Sequence, residues 1–223
     1  MTTTNNNEME IAGKRTVADW NRLNAELSNH PNLWETAFDD FFYSRLKTRY
    51  LNPIHLLQFH GENTGEGFSI VSLQCALIEF LQTTRDGANF KNGGGEYKPE
   101  NGKENNNYKY GSSSKEIFTI FLTKQEPFKS YFDTKVDTKV KPEDFYSYVR
   151  CSLLHEARTT GNWRITANSQ RSETIKEENG VKFLQRDRFQ QDLEAYIWRY
   201  KIELLSDTGL QEAFKRKFDA LCE

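Results

Sequence analysis

The chain has 223 residues, with 30 Lys plus Arg against 32 Asp plus Glu and a net charge of −2. A protein that coats nucleic acid without regard to sequence carries a strong basic excess, so any contact with nucleic acid here must be local. No run approaches the roughly 18 apolar residues of a membrane-spanning helix, and the polar stretch Met1 to Asn7 does not read as a signal peptide.

Residues 1–15 are polar and rich in Asn and Thr, which predicts disorder. From Thr16 a helix is expected, with Val17, Trp20, Leu23 and Leu27 at helical spacing, ended by His30 and Pro31. A second helix is expected from Leu33 to Tyr50, with Trp34, Phe38, Phe41, Phe42 and Leu46 as its apolar stripe and Pro53 ending or kinking it. Residues 61–67 read as a loop. The apolar run 68–84 fits a strand or a helix by content, and its length favours a core helix closed by Gly87.

Residues 88–114 form a polar insertion expected to be flexible. A short helix follows near 115–123. A repeated four-residue string over 133–140 is too short to build a repeat architecture. Pro142, Glu143 and Asp144 suit the first turn of a helix. Residues 163–167 and 181–185 alternate as strands, with Glu178, Asn179 and Gly180 as the turn signal. Long helices are expected over 188–205 and from Leu210 to Leu221. The pattern predicts one mainly α-helical domain over 16–223, carrying a small β-hairpin.

Arg150 and His155 stand out within that pattern. A guanidinium stays charged at any ordinary pH, so apolar surroundings demand a partner for it. Imidazole moves protons near neutral pH. Together they can hold a phosphate and assist cleavage of the adjacent bond. On a straight helix the two lie about 140° apart at about 100° per residue. Either the helix distorts, or a second chain completes the site across a two-fold axis. The alternative for Arg150 is a buried ion pair, with Glu79 as a candidate partner.

From Arg150 to Gln190 the chain holds eight basic against five acidic residues, which fits an RNA groove or an ordinary mixed surface. Trp163 beside Arg164 is placed either to stack a base or to fill the core. His30, His55 and His60 show no metal-ligand pattern, and no cofactor motif is present. Cys75, Cys151 and Cys222 are expected to be free thiols in a reducing cytoplasm.

The string Val149 to Glu156, with Arg-x4-His on a late helix of an α-helical domain, resembles the HEPN superfamily, whose nucleases carry Arg-x4–6-His. The resemblance covers about residues 142–161. It implies a helical bundle of HEPN type, followed here by the small β-hairpin. It also implies a metal-independent endoribonuclease working as a homodimer with a composite active site. Attack of the ribose 2′-OH on the adjacent phosphate would leave a 2′,3′-cyclic phosphate, with His155 as general base or acid and Arg150 holding the phosphate. Glu156, Arg158, Trp163 and Arg164 are the candidate RNA-contacting or supporting residues. Relatives of this kind commonly act as toxins, paired with an antitoxin, or as antiviral defence effectors. Where HEPN proteins often carry Asn, Asp or His after the Arg, this chain has Cys151, which keeps open a non-catalytic helical module that binds a partner or senses a signal.

Overall fold

Two helices in this chain start at side-chain caps. The computed structural model describes residues 6–62, 64–96, 108–112, 114–133, 140–167, 169–170 and 172–223. Thr16 caps α1 (Val17–Leu27): its hydroxyl accepts from the Asp19 amide at 3.3 Å, and the Asp19 carboxylate accepts from the Thr16 amide at 3.0 Å. Asp207 caps α7 (Thr208–Ala220), accepting from the Leu210 amide at 3.0 Å. Between them run α2 (33–60), α3 (Glu66–Asp86), α4 (Ser114–Lys124), α5 (142–156) and α6 (Arg186–Leu204), making seven helices among the described residues.

Helix α2 continues through Pro53, where the sequence predicts an end or a kink. A proline ring clashes with the carbonyl four residues back and donates no hydrogen bond. Here the preceding turn, Lys47–Leu51, is wound wide, and the Asn52 amide donates to Lys47, five residues back. Widening relieves the conflict that would otherwise end the helix. Ala37–Tyr43 and Tyr146–Cys151 are wound in the same way.

The chain divides into two compact units. Neither unit is a continuous stretch, so no linker signal marks the division. The first comprises Met1–Pro53, Thr83–Ser112 and Arg199–Glu223. Its core is aromatic: Trp20 packs at 5.2 Å against both Phe41 and Phe218, Phe42 at 5.2 Å against Tyr200, and Phe214 stacks on Phe218 at 4.5 Å. β1 (Glu10–Ala12) pairs antiparallel with β2 (Arg15–Thr16) and buries Ile11 and Ala12. The disorder predicted for 1–15 therefore does not extend to these residues, and 1–5 lie outside the described residues. Two apolar side chains beside a tight turn are enough to seat a short strand that composition hides. Within the 88–114 insertion, β3 (Asn89–Phe90) pairs parallel with β4 (Lys109–Tyr110). The expectation of flexibility falls mainly on 97–107 and 113, outside the described residues, as do 134–139 of the short repeat. Gly87 ends α3 at φ +67°, where a Cβ would sit 2.8 Å from the Ala213 backbone.

The second unit comprises Ile54–Gln82 and Ser113–Trp198. Pro142 opens α5, with Glu143 and Asp144 in its first turn. Phe145 then anchors that helix, with rings of Phe132, Trp163, Phe189 and Phe118 at 5.3, 5.2, 5.6 and 6.0 Å. After α5 the chain folds back along it. Thr160 donates its amide to the Tyr148 carbonyl at 2.9 Å, and Gly161, at φ +58°, lies against the Tyr148 ring where a Cβ would be 2.5 Å away.

The sheet that follows has three strands, in the order β5 (Trp163–Thr166), β7 (Val181–Gln185), β6 (Ile175–Glu178). The two sequence-predicted strands, 163–167 and 181–185, do pair, but in parallel. The antiparallel arm is β6, turned into β7 through Asn179 and Gly180, both at positive φ. Only Ile175 among β6 side chains is apolar, so the alternation that marks a half-buried strand is missing there. Gln74 ties α3 to α6 by donating to the Arg186 carbonyl at 2.9 Å and to Gln190 Oε1 at 3.2 Å. No helix among the described residues is long and apolar enough to cross a membrane.

Candidate functional site

Arg150 lies inside the wide turn Tyr146–Cys151 of α5. Wide turns of this kind occur often at functional positions, because they displace side chains from ordinary helical register. The Arg150 side chain is 23% exposed. Its Nη2 stands 3.6 Å from Glu79 Oε2 on α3, and its Cζ lies 5.3 Å from the centre of the Tyr146 ring. The Glu79 carboxylate is itself held, its Oε1 accepting from Ser114 Oγ at 3.0 Å.

The electrostatics of this cluster follow from its burial. Desolvation works against the Arg150 charge, but Tyr146, Cys151 and Glu79 together outweigh it and move the group upward. Burial raises the Tyr146 hydroxyl, against the opposing pull of the Arg150 cation. Cys75 is fully buried, and desolvation pushes its thiol up to about 12. The cluster thus holds one obligatory cation, one nearby carboxylate and two hydrogen-bonding groups, Tyr146 and Cys151. It can bind an anion and stabilise negative charge developing on it.

His155 sits in the last turn of α5, which ends at Ala157 in the left-handed conformation. The imidazole is exposed and makes no hydrogen bond or ion pair among the described residues. Arg150 and His155 share no such contact either. The wide turn ends at Cys151 and the winding from Ser152 to Glu156 is ordinary α-helix. Within the Arg-to-His interval the distortion therefore takes in only Arg150 and Cys151. Between them Leu154 is 65% exposed.

The remaining sequence candidates separate. Glu156, the last residue of α5, and Arg158, just past it, are both exposed, and Arg164 is exposed on β5, donating to the Trp163 carbonyl at 2.9 Å. Trp163 is 1% exposed and meets Phe145 edge-on at 5.2 Å, so it fills the core and is not available to stack a base. The local basic excess is partly consumed by its own acids. Lys176 lies 3.1 Å from Glu178, Lys182 3.6 Å from Glu177, and the buried Arg186 3.5 Å from Asp187.

Tyr146, Ser114 and the thiol of Cys151 are members of the cluster that sequence reasoning did not assign. Tyr146 carried a usable signal, lying four residues before Arg150 on one helix. Ser114 carried none, because its partner Glu79 is remote in sequence. Among the described residues no group of three or more His, Cys, Asp or Glu side chains is placed to hold a metal ion. No protein-family model, curated protein or solved structure matches the chain.

Proposed function

We propose that the protein is a metal-independent endoribonuclease of HEPN type, with Arg150 and His155 as its catalytic pair. One observation carries this reading: a guanidinium pinned on one side and reachable on the other shares a short helix with an exposed imidazole that has no partner among the described residues. Arg150 would hold the scissile phosphate. His155 would take the proton from the ribose 2′-OH as its oxygen bonds to phosphorus. The bond to the 5′-oxygen then breaks, and that oxygen receives a proton. A two-fold dimer would bring two Arg150 and two His155 to one cleft, so that one imidazole serves as base and the other as acid. The 65% exposed Leu154, next to His155, is the kind of apolar group such a pairing covers.

The test is incubation of labelled single-stranded RNA with the full chain in EDTA. Cleavage leaving cyclic phosphate ends, lost in both Arg150→Ala and His155→Ala, is the expected result. Cutting that survives both changes would sink the assignment. A toxin or antiviral role, with an antitoxin or defence partner, belongs to the same proposal and predicts growth arrest on expression that both variants relieve.

A second reading, a non-catalytic partner-binding module, is favoured by the Arg150–Glu79 ion pair, which gives the cation a purely structural use. That reading predicts no RNA cleavage by the folded wild-type protein.

A further inference from the structure

We propose that Glu79 is a positioning residue: with Ser114 it aims the Arg150 guanidinium while leaving most of its donors open to a phosphate. The inference rests on the ribonuclease reading above and adds the means by which its cation is oriented.

Glu79 stands in the interior of α3, one helical turn after the buried Cys75, with a side chain only 21% exposed. A carboxylate in that setting needs partners. Ser114, the first residue of α4, fixes Oε1 at 3.0 Å. Oε2 is thereby turned toward Arg150, and three helices converge on one ion pair. At 3.6 Å, the closest approach of the two groups, the contact exceeds hydrogen-bond length. It orients the cation without capturing its fork. A guanidinium carries five N–H donors, and a bidentate carboxylate would occupy the edge a phosphate uses. Tyr146, with its ring 5.3 Å from Cζ, limits sideways movement.

A structural ion pair and a positioning residue differ in kinetics. Steady-state cleavage of a labelled RNA by the full-length protein is measured for wild type, Glu79→Gln, Glu79→Asp and Ser114→Ala, with circular dichroism to confirm folding. Glu79→Gln is expected to lower kcat by about ten- to a hundredfold through misplacement of the cation, with KM within about twofold. Glu79→Asp recovers part of the loss. Ser114→Ala lowers kcat less, and adds nothing in the Glu79→Gln background, because both act through the same carboxylate.

Wild-type kcat in a folded Glu79→Gln protein overturns the inference and leaves the ribonuclease reading standing, even if melting temperature falls. If Glu79→Gln does not fold, Ser114→Ala and Glu79→Asp decide: kcat unchanged in both overturns it. A wild-type protein that cuts no RNA removes the ribonuclease reading and the inference together.

Discussion

Replacing Phe145 with Ala should loosen the second unit more than any other single truncation on α5. The ring is fully buried and has four aromatic neighbours between 5.2 and 6.0 Å. A buried Phe→Ala change costs about 3–5 kcal/mol from lost transfer energy and the cavity left behind. Each aromatic pair adds roughly 0.5–1.5 kcal/mol beyond its area. Four partners place this site near the upper end, at about 4–5 kcal/mol. With a urea slope of about 2–3 kcal/mol/M for a chain of this length, the midpoint should fall by about 1.3–2.5 M. The assay is a urea titration followed by tryptophan fluorescence, since Trp163 is buried against the deleted ring. The conservative change Phe145→Leu should lose roughly half as much. A midpoint shift below about 0.3 M for Phe145→Ala would refute the packing argument, and with it the claim that Phe145 anchors the helix presenting Arg150.

Thr16→Ala should cost about 1 kcal/mol by breaking the capping box of α1, read by thermal melting. The box also sets a pH dependence. Hydrogen bonding from the Thr16 backbone amide holds the Asp19 carboxylate below its ordinary value, with burial opposing. That contribution is fully present above the unfolded carboxylate range, near 4, and is lost as pH falls through the depressed folded value. Stability measured from pH 6 to pH 2 should therefore decline less in Asp19→Asn, which removes the titrating carboxylate, than in wild type; equal slopes would contradict the assignment. Cys75, with its thiol pushed up to about 12, is predicted to resist iodoacetamide at pH 8, where about one thiol in ten thousand is ionised, and to label on unfolding in urea. Peptide mass spectrometry that found native Cys75 alkylated at the rate of an exposed thiol would exclude the buried cluster described around Arg150.

Much of the scaffold was legible in the chain because local chemistry decides it. Thr16 with Asp19, Pro142 with two acids, and Gly87 each mark a helix end through their own backbone or side-chain bonding. What was not legible depends on groups distant in sequence. Pro53 reads as a terminator until the wide turn before it is known. β6 escapes notice because Ile175 is its only apolar side chain, and the parallel pairing of β5 with β7 is fixed by tertiary packing. Trp163 reads equally as core or as a stacking platform, and its contact with Phe145 decides for core.

The site divides in the same way. Arg150 and His155 announce themselves by residue type and spacing. The pairing of Arg150 with Glu79 was foreseeable as one option, whereas the hold of Ser114 on that carboxylate needs α3 and α4 side by side. Trp163 left the candidate RNA contacts, and the surrounding lysines turned toward their own glutamates.

Attack by a ribose 2′-OH is the central chemical claim, and one substrate tests it. An oligoribonucleotide is first mapped to find a bond the protein cuts in EDTA. The same oligonucleotide is then made with a single 2′-deoxy residue immediately 5′ to that bond. This bond alone is expected to become resistant while the others are cut as before. Cleavage at the deoxy position at the original rate, or no cleavage of any bond in the all-ribose strand, would contradict the claim.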